Sequence, residues 1–291
     1  MGAERVFNDS AKRARAALET CDRAPGSTKP DPILVAEAVR REFGGLVAVD
    51  VAHLEVQRGS ITALIGPNGA GKTTFFNLVT SFDTPNTGTW VFDGRSMEKV
   101  PSHRTAAMGM VRTFQLTKSL TKLSVIENMR LGATGQVGEK WWNGLFGARW
   151  RSQEADITER AEALLARFNL SHMRDEYAGA LSGGQRKLLE MARALMIEPT
   201  LVMLDEPMAG VNPALKQNLN DHIRDLRDQG MTVLFVEHDM DMVHDISDWV
   251  IVMAEGRIIA EGTPDDISRN PAVIDAYLGA HQGRSLLEEE A

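Results

Sequence analysis

The chain has little that would place it outside the cell or within a membrane. It contains a single cysteine, Cys21, so no disulfide can form within one chain. No uninterrupted apolar stretch approaches the roughly 18 residues needed to cross a bilayer. The charged N-terminus has no apolar core of the kind found in secretory signals. We therefore expect a cytoplasmic protein that is soluble in isolation and reaches a membrane only through a partner.

Excess positive charge and metal-binding spacing are also absent. The 291 residues carry a net charge of -8 with a pI near 5.5, which argues against a general nucleic-acid binder. The seven histidines show no spacing that resembles a metal cluster. Length and composition are those of a globular protein with one large domain or two closely packed ones.

A change of composition near residue 30 predicts a domain boundary. Residues 1–30 form a charged, alanine-rich extension that ends in a linker rich in proline and glycine. Both a short helix over residues 6–20 and a mobile tail fit this extension. Residues 31–280 are expected to form the main domain, which becomes helical from about residue 116 to 194. Residues 281–291 read as an acidic, solvated tail.

Apolar runs in the main domain predict its fold class. Ile61–Ile65 is a short apolar run that predicts a buried strand. Continuous apolar runs at Leu201–Leu204 and Thr232–Val236, with helical patterns between them, are expected for parallel strands covered on both faces. Shorter extended segments at Val47–Val51, Leu54–Val56 and Thr89–Phe92 predict antiparallel strands. The sequence therefore predicts an α/β core with an antiparallel β subdomain and an inserted α-helical subdomain.

The inserted helical region contains an unusual aromatic stretch. Residues Trp141 to Trp150 are dense in aromatics yet interrupted by glycines, and are too short and broken to span a membrane. A packed loop and a contact patch for a hydrophobic partner surface both fit this composition.

One glycine-rich stretch carries the chemistry of nucleotide binding. It follows the apolar run at Ile61–Ile65 and precedes a helical pattern, and it reads Gly66-Pro67-Asn68-Gly69-Ala70-Gly71-Lys72-Thr73-Thr74. The glycines allow a tight turn whose N–H groups point into one concavity, and the following helix adds its positive dipole end. Lys72 can reach the β and γ phosphates, and the Thr73 hydroxyl can ligate Mg²⁺. The stretch predicts a phosphate-binding loop of a nucleoside triphosphate site.

Two further stretches indicate how the bound nucleotide is used. The strand Leu201–Leu204 delivers Asp205, which can hold Mg²⁺, and Glu206, which can activate a water against the γ phosphate. Ser182-Gly183-Gly184-Gln185 offers a second anion-binding helix start, with Ser182 as its cap. One nucleotide needs only one such loop. The economical explanation is a head-to-tail dimer in which Ser182–Gln185 completes the site of a second copy.

From about residue 33 to 278 the chain resembles the ATPase subunits of ABC transporters, and Leu181–Gln185 is the signature most specific to them. The resemblance implies a P-loop fold that binds ATP and Mg²⁺, with Gly66 to Thr74 as Walker A and Asp205 closing Walker B. It implies that Glu206 is the general base and that Ser182 to Gln185 contact the partner's ATP.

Three single residues take their roles from the same resemblance. It implies that Phe43 stacks on the nucleotide base, and that Gln115 ligates Mg²⁺ and relays to the membrane subunit. His238 would be the switch histidine near the γ phosphate. From the residues alone, Phe43 could equally fill a local core, and an isolated histidine is more often structural. One position departs from the family pattern, because Asn212 stands where an aspartate is typical after Walker B.

Several stretches narrow the resemblance to importers of branched-chain amino acids. They are Val111–Gln115, Ala209–Pro213, Val236–Met240 and Asn270–Gly279. The implied partners are a second ATPase subunit, identical or not, transmembrane permeases that hold the protein at the cytoplasmic face of the membrane, and indirectly a solute-binding protein; no nucleic acid is expected. Alternatives are the ATPase of a urea, amide or lipid transporter and a soluble ABC ATPase outside transport.

Overall fold

The computed structural model of the protein describes residues 2–113, 120–133 and 147–278. Gln115, the aromatic residues 141–146 and the acidic tail lie outside these ranges, so the predictions made for them stay predictions. No helix in the described ranges is long and apolar enough to cross a membrane.

Ten strands in the described residues form two sheets. The six-stranded sheet has the order β10-β9-β3-β8-β7-β6, and the four-stranded sheet has the order β2-β1-β4-β5. Strands β9, β3, β8, β7 and β6 run parallel, whereas β10 and the whole smaller sheet pair antiparallel. The strands are β1 Pro32–Phe43, β2 Leu46–Gln57, β3 Ile61–Ile65, β4 Thr87–Phe92, β5 Arg95–Ser96, β6 Met110–Thr113, β7 Leu201–Asp205, β8 Thr232–Val236, β9 Trp249–Ala254 and β10 Arg257–Gly262.

Helices cover the larger sheet and join its strands. They are α1 Gly2–Glu19, α2 Lys72–Val79, α3 Ser102–Ala107, α4 Val125–Leu131, α5 Gly147–Arg167, α6 Gly183–Leu195, α7 Pro213–Asp228, α8 Met240–Ile246, α9 Pro264–Ser268 and a last helix, α10, at 271–278. Capping boxes start α4 at Ser124, α6 at Ser182 and α9 at Thr263, each satisfying helix N–H groups that have no partner within the helix.

The central strands are buried on both faces, as continuous apolar runs require. Because side chains alternate along a strand, Leu201 and Met203 join one core with α2 and the antiparallel sheet. Val202 and Leu204 join the other core with α4 to α8. The α/β architecture with an antiparallel subdomain and a helical subdomain is therefore confirmed.

Two local features differ in detail from the sequence patterns. Val47–Val51 and Leu54–Val56 belong to one continuous strand, β2, because the intervening His53 pairs in register with Glu37 of β1. The N-terminal extension forms helix α1, whose Ala11, Ala14 and Leu18 are buried against the main domain. These three residues lie at helical spacing, so one stripe of α1 contributes to the core.

Candidate functional site

The phosphate-binding loop connects β3 to α2 and packs closely against the backbone of β2 and β9. Gly66 has φ 148°, and a Cβ atom there would lie 2.0 Å from the carbonyl oxygen of Met253 in β9. Gly71 has φ 97°, and its Cβ would lie 2.3 Å from the carbonyl oxygen of Ala48 in β2. Larger residues are excluded at both positions. Gly256, in the turn between β9 and β10, donates its N–H to the Ala70 carbonyl at 3.0 Å.

Lys72, the first residue of α2, folds back into this loop. Its Nζ donates to the carbonyl oxygens of Gly66 at 2.5 Å and Pro67 at 2.9 Å. Burial lowers the pKa of Lys72, and the carboxylates of Glu206 and Asp205 act in the opposite direction. The ammonium is thus within electrostatic reach of the acidic end of β7, and the next residue, Thr73, is exposed beside it.

Asp205 ends β7 in a largely buried position and has a partner that sequence reasoning missed. Arg112 of β6 donates from Nη2 to Asp205 Oδ2 at 2.6 Å. The same guanidinium donates from Nη1 to Asn77 Oδ1 on α2 at 2.6 Å. The register of β6 against β7 was the signal that could have revealed this pair, and it is not readable from sequence.

Glu206 lies in a turn whose backbone is hydrogen-bonded to two charged side chains. Its φ is 47°, in the left-handed region that few residues other than glycine adopt. Lys187 of α6 donates from Nζ to the carbonyl oxygens of Glu206 at 3.3 Å and Pro207 at 2.8 Å. The buried carboxylate of Glu237 accepts the Met208 N–H at 2.8 Å. Sequence reasoning also missed Lys187 and Glu237.

His238 follows β8 at the same edge of the sheet. Its side chain is 65% exposed, and Nδ1 lies 3.7 Å from Glu237 Oε2. The next residue, Asp239, caps α8 and receives Lys216 Nζ at 2.6 Å, and this hydrogen bond lowers the pKa of Asp239. His238 is therefore exposed near the turn that carries Glu206, free of a core-packing role.

Ser182–Gln185 form the start of α6 and use their polar atoms locally. Ser182 Oγ accepts the Gln185 N–H at 3.3 Å, and Gln185 Oε1 accepts the Ser182 N–H at 2.9 Å. Ser182 and Gly183 are exposed. Within the described ranges, no hydrogen bond or ion pair joins this segment to the phosphate-binding loop. The two predicted anion-binding motifs thus have no direct polar contact in the described part of the chain.

Two other sequence-predicted positions have definite surroundings. Phe43, at the end of β1, is 48% exposed, and the Arg41 guanidinium lies 4.5 Å from its ring centroid. Phe43 is thus available for stacking instead of filling a core. Asn212 caps α7, because its Oδ1 accepts the Leu215 N–H at 3.0 Å. An aspartate could make the same cap, so asparagine keeps the local structure without the charge.

A cavity of about 490 Å³ lies between α6 and the end of β7. Asp205, Glu206 and Gly183 contribute to its lining, together with Arg186 and Glu190 of α6. It lies beside the acidic pair, and none of residues 66–74 contributes to its lining. Burial raises the pKa of Glu190, although the charges of Arg193, Lys187 and Arg186 oppose this shift.

The oxygen donors of the site fit a nucleotide-bound Mg²⁺. In the described part of the chain, no group of three or more His, Cys, Asp or Glu side chains could hold a metal ion. Magnesium in phosphate-transfer sites is instead held by one or two protein oxygens together with substrate phosphates. The Thr73 hydroxyl and the Asp205 carboxylate are donors of this kind.

Comparisons with known proteins agree with this geometry. A model of the family described as "ABC transporter" matches residues 49–209. A second, described as "Branched-chain amino acid ATP-binding cassette transporter", matches residues 257–282. The chain is 42% identical over 248 residues to a probable branched-chain amino acid transport ATP-binding protein, LivG, of Archaeoglobus fulgidus, covering 85% of this chain and 96% of that protein.

A second relative and a solved structure extend the likeness over the same share of the chain. The high-affinity branched-chain amino acid transport ATP-binding protein BraF of Pseudomonas aeruginosa is 40% identical over 250 residues, covering 85% of this chain and 98% of BraF. The crystal structure of the ADP conformation of MJ1267, an ATP-binding cassette of an ABC transporter, superposes with a TM-score of 0.75 and 37% identity. It covers 85% of this chain and 99% of its own.

Proposed function

The chain belongs to the ATP-binding proteins of the ABC transporter family, and from this we propose that it powers a membrane importer of branched-chain amino acids. As a family member it is an ATPase of a transporter. The observation that carries the choice of solute is the match of residues 257–282 to the branched-chain subfamily, with relatives of that name at about 40% identity. Urea, amide and lipid transport are the alternatives.

The described residues support the following division of labour. Lys72 exchanges the carbonyls of Gly66 and Pro67 for oxygens of the β and γ phosphates. Thr73 and Asp205 would hold Mg²⁺, which neutralises charge on the phosphates when bound. Glu206 accepts a proton from the water that attacks the γ phosphorus, while ADP leaves, and His238 lies beside the same turn. Phe43 would stack on the base. The roles of Gln115 at Mg²⁺ and at the permease rest on the family resemblance alone, because Gln115 lies outside the described residues.

A second ATPase subunit, identical or not, and permease subunits complete the proposed assembly. Ser182–Gln185 would meet the nucleotide of that second subunit, since Ser182 and Gly183 are exposed and no hydrogen bond within the described ranges joins the segment to its own phosphate-binding loop. The permeases would hold the dimer at the cytoplasmic face of the membrane, with a solute-binding protein on the other side.

Replacing Lys72 by alanine tests the nucleotide site. We expect ATP turnover to fall by about 100-fold or more, because the loop loses the cation that stabilises the γ phosphate in the transition state. Turnover is measured by phosphate release, and ATP affinity with a fluorescent ATP analogue. Lys12→Ala, at an exposed position of α1, is the matched control and should leave both unchanged. Normal turnover in Lys72→Ala would contradict the assignment of this loop.

The solute is tested in the assembled transporter. The protein co-purified with its permeases is reconstituted in liposomes, and ATP-driven uptake of leucine, isoleucine and valine is compared with uptake of urea. We expect uptake of the three amino acids only. Urea uptake, lipid movement or failure to co-purify with any membrane protein would each support one of the alternatives instead.

A further inference from the structure

Arg112 and Asp205 are brought together by the pairing of two parallel strands. Arg112 of β6 is in register with Met203 of β7. Side chains two residues apart on a strand share a face, so Asp205 lies on the same face as Met203 and Arg112. This is the face covered by α2, whose first residues belong to the phosphate-binding loop. The register thus places a cation beside the proposed metal ligand.

The Arg112 side chain is almost fully buried and held on several sides. It is 6% exposed, and Asp205 is 12% exposed. Nη2 donates to Asp205 Oδ2 and Nη1 to Asn77 Oδ1, both at 2.6 Å. The guanidinium also lies 5.6 Å from the ring centroid of Phe76 on α2. A buried charge pair with this geometry fixes the rotamers of both side chains.

This arrangement makes the two oxygens of the Asp205 carboxylate unequal. Oδ2 accepts the hydrogen bond of Arg112, so Oδ1 is the oxygen with more acceptor capacity left for a cation or its bound water. Asn77 lies four residues after Thr73 on α2, and side chains at this spacing share one face of a helix. The guanidinium therefore ties the helix that carries the Thr73 hydroxyl to the strand end that carries Asp205.

We propose that Arg112 is a positioning residue that sets the affinity of the site for Mg²⁺ by fixing Asp205 relative to α2. The inference rests on the proposed function, in which Thr73 and Asp205 hold the metal of Mg·ATP. Groups that orient a metal-binding carboxylate commonly change metal affinity by 10- to 100-fold when replaced. Arg112 also places a positive charge near the cation, and this repulsion acts against its orienting effect.

Arg112→Lys separates the two effects, because lysine keeps the charge but lacks the planar fork that spans Asp205 and Asn77. The measurement is a Mg²⁺ titration of binding of a fluorescent, non-hydrolysable ATP analogue. We expect the Mg²⁺ concentration at half-saturation to rise by about 10- to 100-fold. Binding of the analogue without Mg²⁺ should not change, since Lys72 and the phosphate-binding loop are untouched.

Asn77→Ala is a second variant that leaves the Arg112–Asp205 pair in place. It should raise the Mg²⁺ requirement in the same direction by a smaller factor, and alanine is well tolerated in α2. Arg104→Lys, the same change at an exposed position of α3, is the control and should match the wild type. Arg112→Lys and Asn77→Ala variants with an unchanged Mg²⁺ requirement would overturn the proposal.

Failure of the proposed function would give a different result. In that case the wild-type protein itself would show no Mg²⁺-dependent binding of the analogue. If Arg112→Lys does not fold, as judged by its thermal transition, Asn77→Ala decides the question alone.

Discussion

His222 is a buried histidine on α7 that is unlike the exposed His238. Its ring lies 4.4 Å from that of Phe168 between centroids, and neither ring nitrogen has a hydrogen-bond partner among the described residues. Burial lowers its pKa from the ordinary value of 6.5, and the nearby positive charge of Arg167 lowers it further. The imidazole is therefore neutral in the folded protein at pH 7.

The lowered pKa of His222 makes stability depend on pH. Below about pH 6.5 the unfolded chain takes up a proton at this residue more readily than the folded chain does. The contribution of His222 to the free energy of unfolding is therefore fully present above about pH 6.5 and is lost as the pH falls. We expect His222→Leu to lose less unfolding free energy than the wild type between pH 7.5 and 5.5, as measured by urea denaturation. His103→Leu, at an exposed position, should keep the wild-type difference. Equal losses in His222→Leu and wild type would contradict this account.

We expect Lys187 to affect ATP hydrolysis through the backbone of the turn that carries Glu206. Its hydrogen bonds to the Glu206 and Pro207 carbonyls help hold a conformation with positive φ at Glu206. We expect Lys187→Met to lower kcat for ATP roughly tenfold, equivalent to about 1.4 kcal/mol in the barrier. Nucleotide affinity should stay near the wild-type value. Lys187→Arg, which retains charged donors, should recover part of the turnover, whereas wild-type kcat in Lys187→Met would exclude a positioning role.

At the scale of elements, the strands of the larger sheet could be predicted from the sequence, whereas several side-chain contacts between elements could not. Ile61–Ile65 and Thr232–Val236 are buried on both faces, so their apolar runs identify them without further information. The phosphate-binding loop could be predicted equally well, because the residues that define it are neighbours in the sequence. Arg112 and Lys187 could not, since each acts on a residue that lies close only through tertiary packing. The exact roles assigned to Phe43, Gln115 and His238, and the domain boundaries, stay predictions.

The linker after α1 is held to the sheet by contacts that no local pattern reveals. Lys29 pairs with Glu261 of β10 at 2.9 Å, with side chains 0% and 2% exposed. The same carboxylate accepts the Trp249 indole N–H at 2.9 Å and the Ser27 N–H at 2.5 Å. Further back, Arg15 of α1 pairs with Asp248 at 2.6 Å. This pair joins residues that are 233 positions apart in sequence, and it helps to hold the N-terminal extension in place.

Removing one partner of the buried Lys29–Glu261 pair should destabilise the protein more than removing one partner of an exposed pair. We expect Lys29→Met to lower the free energy of unfolding by roughly 3–5 kcal/mol, because Glu261 is left buried without its cation. Arg160→Met, which removes an exposed pair with Glu198, should cost less than about 1 kcal/mol. Urea denaturation measures both. A loss in Lys29→Met no larger than in the control would show that the linker is not part of the cooperative unit.

At the scale of the whole molecule, we propose that each chain supplies two halves of a nucleotide site, and that a second subunit completes each half. The phosphate-binding loop with Lys72 lies at the end of β3, whereas Ser182 and Gly183 are exposed at the start of α6. Two copies related by a two-fold axis would bring each half against its complement, which is the closed arrangement expected of a homodimer. Each chain carries a net charge of -8, so electrostatic repulsion opposes association of two copies and must be outweighed by the contacts that bound nucleotide would make with both.

Glu206→Gln should therefore convert a transient dimer into a stable one. The amide keeps the shape of the turn but cannot take the proton of the attacking water, so ATP stays bound between the two copies. We expect size-exclusion chromatography with light scattering to give a dimer with Mg·ATP and a monomer with ADP or without nucleotide. Glu206→Gln combined with Lys72→Ala should remain a monomer under all three conditions, because the loop no longer holds ATP. A monomeric Glu206→Gln protein saturated with ATP would mean that Ser182–Gln185 do not complete the site of a second copy. The chain would then have to hydrolyse ATP with the phosphate-binding loop and the acidic turn of one subunit alone.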